Sequence, residues 1–388
     1  MLCSENLDAQ LWKKYEGLDT PFFLVNKPTF LNNLARLSNK IEGLGTSLRP
    51  HFKTVRSLDA IQYLLPDKTS PVTVSTVKEA EALANEGYSD ILYAVGISAS
   101  KLSRIRDLNS KGAKVRVLLD SMEQAQILNQ FCQDNHCSIA ALVEIDCDGH
   151  RGGINPNDPA LIQIALLLLD GFAQFQGILT HAGESYHCFD QISLRESAKN
   201  EVEAALKATK QLRSVGIACE IVSIGSTPTA HHYQNLDGIT EVRAGVYAFF
   251  DLVMAGIGIC NINDIAASVV TTVIGHNKDK GWLIVDAGWM ALSSDRGTEN
   301  QPRDCGYGLV TKCDGKQIGD LQVTTANQEH GIIEAVNGCD INFEDYPLGC
   351  RLHILPNHAC ATASMHKQYH VFDTQDQTYD VWTRIQGW

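Results

Sequence analysis

The sequence predicts an α/β protein in which a (β/α)8 barrel is followed by a smaller β-rich domain. Between residue 20 and about residue 245, eight short apolar runs alternate with stretches of helical periodicity, the pattern of parallel strands joined by helices. The chain has 388 residues, more than the roughly 250 of one barrel. After about residue 260, strand-like runs follow one another with few helical patterns between them. An open doubly wound sheet gives a similar alternation and is the alternative.

Each element of the barrel has its own signal. The eight predicted strands are short and several are rich in β-branched residues: PFFLV, LRPHFK, PVTVS, DILYAV, KVRVLLD, ALVEID, FQGILTH and EIVSIG. Apolar residues at helical spacing predict a helix over Phe30–Ile41. Thr76 and Glu79 form a capping box for the next helix, and Gly87 stands where that helix should end. We assign residues 20–260 to the barrel.

The β-rich domain takes residues 1–19 and 261–388. Its strand-like runs are IAASVVTTVIGH, GWLIVDAG, LQVTT, GIIEAV, RLHIL, YHVFD and YDVWTRI, with Gly, Asn and Asp between them.

Composition excludes several classes of protein. The net charge of −13 argues against a nucleic-acid partner, which needs a basic face. No apolar run approaches the roughly 20 residues of a membrane helix, and the polar start MLCSENLDAQ has no signal-peptide core. The 12 cysteines include no CxxC pair, which favours reduced thiols in a cytoplasmic protein. An anionic substrate would need local cations to overcome the overall negative charge.

Four motifs fall where predicted strands end, the edge of a barrel at which active sites form. Lys53 in LRPHFKT is predicted to be partly desolvated, which lowers an amine's pKa and makes it a nucleophile for a Schiff base. In EIDCDGHRGG, Arg151 could bind a phenolate or a carboxylate. THAGESY places small residues beside Tyr186, which suits the wall of a flat ring. Each motif taken alone also fits an ordinary strand end or loop.

The fourth motif, SIGSTPT, predicts an anion site. Backbone N–H groups near Gly225 and the hydroxyls of Ser226 and Thr227 would form an anion nest. VRAGVY offers the same anion a further glycine and a hydroxyl. In the second domain, an extended PNHAC would present His358 and Cys360, both good zinc ligands, on one face. The nearby NQEHG could add a polar group.

Together, LRPHFKT, EIDCDGHRGG, THAGESY, SIGSTPT, VRAGVY, DAGWMALSSD, NQEHG and PNHAC resemble the D-serine dehydratase/D-threonine aldolase family. Its members are pyridoxal-phosphate enzymes of the alanine-racemase-like fold (fold type III). The resemblance runs in the same order over nearly the whole chain, from about residue 21 to 369.

The resemblance implies roles for individual residues. Lys53 is the lysine that carries the cofactor, Arg151 faces its phenolic oxygen, and Tyr186 lies close to its ring. The remaining positions form the phosphate cup and the metal pair: Gly225, Ser226, Thr227, Gly245, Val246 and Tyr247 for the phosphate, His358 and Cys360 for Zn²⁺ or another divalent metal. His-x-Cys favours a dehydratase, because the aldolases of the family tend to have His-x-Asp.

The expected activity is that of a D-serine ammonia-lyase-like carbon–oxygen lyase. It would eliminate water from D-serine or a relative such as D-threo-3-hydroxyaspartate and give a 2-oxo acid and ammonia. The alternatives are a D-threonine aldolase, a non-catalytic pyridoxal-phosphate-binding protein and a racemase, for which no second base is identified. The family fold also implies a homodimer.

Four positions depart from the usual family pattern and leave the substrate open. They are Val55, Arg56, Asp148 and Phe250, expected near the substrate's side chain.

Overall fold

The strands of the chain form two separate sheets. The computed structural model describes residues 7–311, 317–336, 338 and 340–388; residues 1–6 of the predicted β-rich domain therefore lie outside the described residues. In chain order the strands are β1 (Phe22–Asn26), β2 (Ser47–Pro50), β3 (Val72–Val74), β4 (Asp90–Gly96), β5 (Lys114–Leu119), β6 (Ala140–Ile145), β7 (Gln174–Thr180), β8 (Ile221–Ile224), β9 (Glu241–Ala244), β10 (Ala267–Asn277), β11 (Trp282–Val285), β12 (Gly308–Thr311), β13 (Gln317–Ala326), β14 (Gly331–Ala335), β15 (Arg351–Pro356), β16 (Gln368–Asp373) and β17 (Thr378–Thr383).

Helices connect the strands of the first sheet and are short and few in the second. They are α1 (Ala9–Glu16), α2 (Lys27–Gly43), α3 (Leu58–Leu64), α4 (Val77–Asn85), α5 (Leu102–Ser110), α6 (Met122–Asp134), α7 (Ala160–Leu169), α8 (Gln191–Ser214), α9 (Thr227–Ala230), α10 (Leu252–Gly256), α11 (Trp289–Leu292) and α12 (Ala359–Ser364).

The first sheet is a closed parallel barrel of eight strands. Its order is β2-β9-β8-β7-β6-β5-β4-β3, and a parallel bridge between His51 and Thr73 joins the last strand to the first. Leucines of β4, β5, β6 and β7 form a buried cluster. The barrel prediction is therefore confirmed over the open doubly wound sheet.

One predicted barrel strand belongs to the other sheet. The run PFFLV forms β1, which pairs antiparallel with β10 and parallel with β16. The eighth barrel strand is instead β9, whose sequence EVRA carries two charged residues and was interpreted only as part of the loop motif VRAGVY. The motifs therefore follow the first, fifth, sixth, seventh and eighth barrel strands. This puts SIGSTPT and VRAGVY after strands seven and eight, where barrels often bind phosphate.

The second sheet has nine strands and contains a closed ring. Strands β10, β11, β14, β13, β12 and β15 each pair with the next, and β15 pairs again with β10. Strands β1, β16 and β17 extend this sheet from β10. The prediction of a β-rich second domain is confirmed.

The chain divides into two compact units. One comprises residues 1–35 and 246–386, and the other comprises residues 36–245 and 387–388. Residues 20–35 and 246–260, assigned from the sequence to the barrel, thus group with the antiparallel sheet.

A layer of charged side chains lies within the barrel unit. Arg49 is 2 % exposed and contacts Glu241 and Asp90, each at 2.8 Å. Arg116 binds the same Asp90 at 2.6 Å. Such pairs satisfy buried charges that would otherwise be costly.

The predicted ends of α4 are confirmed, but its predicted capping box is only half formed. Helix α4 begins after Thr76, whose hydroxyl accepts the N–H of Glu79, and Gly87 follows its end with φ +88°. The Glu79 carboxylate reaches the N–H of Ser75 rather than that of Thr76. Within the described part of the chain, no helix has the length and apolarity to span a bilayer, and the nine described cysteines form no disulfide.

Candidate active site

The carboxyl ends of the barrel strands bring most of the predicted site residues to one edge of the sheet. Lys53 follows β2, Arg151 follows β6, and Tyr186 follows β7. The segment 225–227 follows β8 and Gly245 follows β9. Because all eight strands are parallel, these loops leave the barrel on the same side.

Lys53 lies in the turn directly after β2. Phe52 and Thr54 on either side of it are fully buried, whereas Lys53 is exposed. Its backbone N–H lies 3.4 Å from Nδ1 of His51. The predicted partial desolvation of Lys53 is therefore wrong: the turn points its neighbours into the protein and leaves the lysine accessible.

Positive charge surrounds this turn. Burial, with Lys53 and Arg243 nearby, holds the pKa of His51 well below its usual value. Burial likewise lowers the pKa of His181 to about 3, opposed by its hydrogen bond to Gly225 and reinforced by Arg243, Lys53 and Arg151. Both histidines are thus neutral near pH 7. The cations that an anionic ligand needs in this acidic protein are present here.

Arg151 stands at the rim of this edge. Its side chain is 58 % exposed and lies 3.6 Å from the carboxylate of Glu144 on β6. Burial raises the pKa of Glu144, and the charge of Arg151 opposes that shift. The guanidinium of Arg151 is thus accessible to a ligand while one of its terminal nitrogens lies near a carboxylate.

Tyr186 lies in a short turn of 3₁₀ helix, Gly183–His187, after β7. Its ring centroid is 6.4 Å from that of His181, which is held by a hydrogen bond of 2.8 Å from Nδ1 to the Gly225 carbonyl. The same turn contacts the loop of Arg151, since Glu184 pairs with His150 at 2.7 Å. THAGESY and EIDCDGHRGG are therefore joined in space.

The predicted anion nest at SIGSTPT needs correction. The Gly225 N–H donates to Glu201 at 2.9 Å, and the Ser226 N–H donates to Thr229 at 3.1 Å. Both N–H groups are used inside the protein and are not available to an anion. The hydroxyl of Thr227, by contrast, is buried and has no hydrogen-bond partner among the described residues.

Two glycines let these loops pack closely. Gly225 has φ +143°, and a Cβ there would lie 2.1 Å from the Arg243 carbonyl oxygen, so no other residue fits. A Cβ on Gly245 would lie 3.1 Å from both the Cβ of His51 and Oγ1 of Thr54.

Val246 and Tyr247 begin the 3₁₀ turn that follows Gly245 and are counted with the other unit. Both are buried, and burial raises the pKa of Tyr247.

Two buried residues of the site were missed from the sequence. Arg243 on β9 is fully buried and donates to the Ser223 hydroxyl at 2.9 Å and to the Thr180 carbonyl. Glu201 on α8 accepts hydrogen bonds from the loops after β7 and β8. A charged residue on the buried stripe of a helix, or on a strand, is the signal that could have revealed them.

The predicted metal pair lies in the other unit, and its local structure differs from the prediction. PNHAC does not continue as a strand: His358 is the N-cap of α12, and Cys360 lies in the first turn of that helix. Burial lowers the pKa of His358, but Asp295 and Cys360 lie close enough to raise it well above its usual value, so the two side chains of the pair still come together. Nδ1 of His358 contacts a carboxylate oxygen of Asp295 at 2.7 Å.

Asp295 is the last residue of the motif DAGWMALSSD and was missed as a site residue. The loop that follows it is fixed by the buried amide of Asn357, which pairs with the N–H and the hydroxyl of Thr298, each at 2.9 Å. The predicted addition from NQEHG is not seen at the pair, and no group of three or more His, Cys, Asp or Glu with metal-binding geometry occurs among the described residues.

The four positions that depart from the family pattern differ in their burial and in their partners. Val55 and Phe250 are buried. Arg56 pairs with the buried Glu79 at 2.6 Å, and Asp148 accepts the N–H of Glu184 at 2.8 Å.

Comparisons with known proteins cover nearly the whole chain. The family model for the alanine racemase N-terminal domain matches residues 25–253, and that for a putative serine dehydratase domain matches residues 266–372. D-threo-3-hydroxyaspartate dehydratase of Delftia sp. HT23 is 43% identical over 96% of this chain and 98% of its own. D-serine dehydratase of Dictyostelium discoideum is 30% identical, with the same coverage.

Solved structures agree with this result. An alanine-racemase-like protein of Idiomarina loihiensis has a TM-score of 0.93 at 48% identity, covering 96% of this chain and 99% of its own. A cysteine-to-alanine mutant of a D-threo-3-hydroxyaspartate dehydratase, described as the metal-free form, has a TM-score of 0.93 at 42% identity with the same coverage. The chain therefore belongs to the D-serine dehydratase/D-threonine aldolase family of fold-type III pyridoxal-phosphate enzymes.

Proposed function

We propose that this protein is a pyridoxal-phosphate- and divalent-metal-dependent lyase that eliminates water from a D-3-hydroxyamino acid. The preferred substrate is D-threo-3-hydroxyaspartate, ahead of D-serine. The observation that carries the proposal is the gathering of Lys53, Arg151 and the segment 225–227 at the carboxyl ends of one barrel's strands.

The barrel residues fit the cofactor. A buried hydroxyl without a partner costs free energy, roughly 1–3 kcal/mol, and the Thr227 hydroxyl is such a group; a phosphate oxygen would satisfy it. Lys53 is accessible for the covalent link, and Arg151 offers an exposed guanidinium to the phenolic oxygen. The bound cofactor supplies an electron sink for the pair of electrons left when the Cα–H bond breaks.

The protein's own residues transfer the protons and orient the substrate. The Nζ of Lys53 would be the base that takes the α-proton. The neutral His181 keeps its Nδ1–H on the Gly225 carbonyl, so its ring stays fixed beside Tyr186. The positive charges of Arg151 and Arg243 attract the substrate's carboxylates to this edge of the barrel.

The second unit fits a divalent metal. His358 keeps Nδ1 on Asp295, which leaves Nε2 for a metal, the usual arrangement of a carboxylate behind a metal-binding histidine. Cys360 supplies a thiolate. The metal-free form of a cysteine-to-alanine mutant of a D-threo-3-hydroxyaspartate dehydratase supports this assignment. A bound Zn²⁺ supplies a Lewis acid, which makes hydroxide a better leaving group.

Two observations support the choice of substrate. The 43% identical relative is named for D-threo-3-hydroxyaspartate, and a substrate with two carboxylates suits a site with several cations. The elimination breaks Cα–H and Cβ–O, releases water, and leaves an enamine that tautomerises and hydrolyses. For this substrate the products are oxaloacetate and ammonia, and for D-serine they are pyruvate and ammonia.

Product analysis tests the proposal. The purified protein is incubated with D-threo-3-hydroxyaspartate, D-serine and D-threonine, with and without a chelator. We expect a 2-oxo acid and ammonia in equal amounts, most from the first substrate, and loss of product after chelation. Glycine with an aldehyde would identify an aldolase instead, and absence of any product would favour a non-catalytic cofactor-binding protein.

Three further statements stay predictions. They are the homodimer, the cytoplasmic location and the domain limits at residues 20–260. Sedimentation of the holo-protein at several concentrations tests the first.

A further inference from the structure

A glutamate lies on the buried face of the longest helix. In α8 the buried residues recur every three or four positions, as on the inward face of a helix: Leu194, Ala198, Glu201, Ala205, Ala208 and Leu212. Glu201 is 0% exposed. A carboxylate at such a position is stable only when donors replace the water it has lost.

Four donors surround this carboxylate. Its Oε1 accepts the backbone N–H groups of Ala182 at 3.0 Å and Gly225 at 2.9 Å. Its Oε2 accepts the hydroxyls of Thr229 at 2.7 Å and Tyr233 at 2.5 Å. Glu201 thus ties one helix to the loop after β7 and to the loop after β8.

The bonds continue from Glu201 to the phosphate cup, which here means residues 225–227 with Gly245. Oγ1 of Thr229 accepts the N–H of Ser226 at 3.1 Å and lies 3.0 Å from its Oγ. The Ser226 hydroxyl also lies 2.8 Å from that of Ser185. With Gly225 and Ser226 held on both sides, the position of Thr227 between Ser226 and Thr229 is fixed.

We propose that Glu201 is a positioning residue that sets the phosphate cup and thereby selects the phosphorylated cofactor over its dephosphorylated form. This rests on the proposed function, because it takes the cup to hold pyridoxal phosphate. Glu201 itself does not touch the ligand. It acts by holding the Gly225 N–H and the Thr229 hydroxyl, which fixes the segment that carries the unpartnered Thr227 hydroxyl.

Glu201 acts through its hydrogen bonds rather than its charge. A glutamine at this position keeps one carbonyl oxygen for the two backbone N–H groups. Its NH₂ group can donate to the hydroxyl oxygens of Thr229 and Tyr233, which accept as well as donate. Glu201→Gln should therefore preserve the cup, whereas Glu201→Ala leaves two buried N–H groups unpaired.

The test compares two ligands on the cofactor-free protein. Dissociation constants for pyridoxal phosphate and for pyridoxal are measured by absorbance for wild type, Glu201→Ala, Glu201→Gln and Glu203→Ala. The last is the control, because Glu203 lies on the same helix but its side chain is 61% exposed. Lys53 can react with both aldehydes, so the ratio of the two constants reports on the phosphate cup alone.

We expect Glu201→Ala to weaken the binding of pyridoxal phosphate by about tenfold or more, because the segment that carries Thr227 loses its anchors at Gly225 and Thr229, and to change the binding of pyridoxal little. Glu201→Gln and Glu203→Ala should keep the wild-type ratio. A Glu201→Ala protein with the wild-type ratio would overturn the role of Glu201. A wild type that binds both aldehydes equally would instead overturn the cofactor site itself.

Should Glu201→Ala fail to fold, Tyr233→Phe provides a milder variant. It removes one of the four donors and leaves the other three. A smaller loss of preference for pyridoxal phosphate over pyridoxal supports the proposal. If the ratio of the two dissociation constants and the constant for pyridoxal are both unchanged, the proposal is contradicted.

Discussion

The side chain of Lys53 lies in a local field that differs from that of the molecule as a whole. The chain carries a net charge of −13, yet Lys53, Arg151 and Arg243 all act on His181. Interactions between charges fall off over a Debye length of about 8 Å in physiological salt. A phosphate or a dicarboxylate that approaches this edge of the barrel therefore meets positive charge despite the negative net charge of the chain.

Replacing Lys53 tests its covalent role. Lys53→Ala should remove the visible absorbance of the lysine-bound cofactor, because no other amine is expected to replace it. Lys68→Ala, which changes another exposed lysine, should leave the spectrum unchanged. Borohydride reduction followed by peptide mass spectrometry should find the cofactor on residue 53; an unaltered spectrum for Lys53→Ala would refute the assignment.

Asp295 provides a second test at the scale of single residues. Asp295→Ala removes the carboxylate that orients His358, and the loss of such a partner weakens metal binding about 10–100-fold. Competition with a chromogenic chelator measures the affinity for Zn²⁺.

Asp304→Ala is the control for Asp295. Its carboxylate lies in the same loop, pairs with Arg296, and is 38% exposed against 45% for Asp295. Equal zinc affinity in both variants would contradict a role for Asp295.

The sequence revealed the site residues that lie in loops and missed the buried residues that support those loops through hydrogen bonds. Lys53, Arg151 and Thr227 belong to short motifs. Glu201 and Arg243 act through partners distant in the chain, and no local pattern contains that information. The nest at Gly225 was mispredicted for the same reason, since Glu201 takes its N–H.

At the scale of elements, the alternation of apolar runs and helical patterns predicted the correct number of barrel strands. It did not identify which segments of the chain form them. β1 is buried along its whole length, as a parallel barrel strand would be, so its composition does not distinguish the two sheets. β9 was overlooked because Glu241 and Arg243 interrupt its apolar pattern. Both side chains have partners inside the barrel unit: Glu241 pairs with Arg49, and Arg243 donates to Ser223 and Thr180.

The charged layer of the barrel yields a prediction about stability. Arg49→Ala leaves Glu241 and Asp90 without their shared partner, and breaking a buried pair costs about 3–5 kcal/mol. Arg104→Ala removes a pair with Glu81 that is 36% and 28% exposed, worth about 0–1 kcal/mol. Urea unfolding followed by circular dichroism measures the free energy of unfolding of both variants. Similar losses of stability would contradict the prediction that the buried pairs of Arg49 contribute more than the exposed pair of Arg104.

At the scale of the whole molecule, both units hold a buried neutral histidine. The pKa of His181 in the barrel unit and that of His353 in the other unit are each lowered to about 3, in both cases mainly by burial. An unfolded histidine has a pKa of about 6.5. Between these values the unfolded chain binds more protons than the folded one, so stability is present above pH 6.5 and is lost as the pH falls.

Acidification should therefore destabilise both units, by up to about 1.4 kcal/mol per pH unit for each histidine. Urea midpoints between pH 8 and pH 4 measure this dependence. His181→Asn keeps a donor for the Gly225 carbonyl. Because asparagine takes up no proton, the urea midpoint of this variant should fall less steeply with pH below 6.5 than that of the wild type. At pH 8 neither protein takes up a proton at this position, so proton uptake contributes no difference there. An equally steep slope in that variant would contradict the prediction.

The pairing of β1 with both β10 and β16 has a consequence for synthesis. Leu24 lies beside His370 in a parallel register, so during synthesis one edge of β1 has no neighbour until β16 has been made. Until then the apolar segment FFLV keeps an open hydrogen-bonding edge, which is the kind of edge that recruits other chains. A nascent or prematurely terminated chain is therefore a natural client for chaperones that shield extended apolar segments.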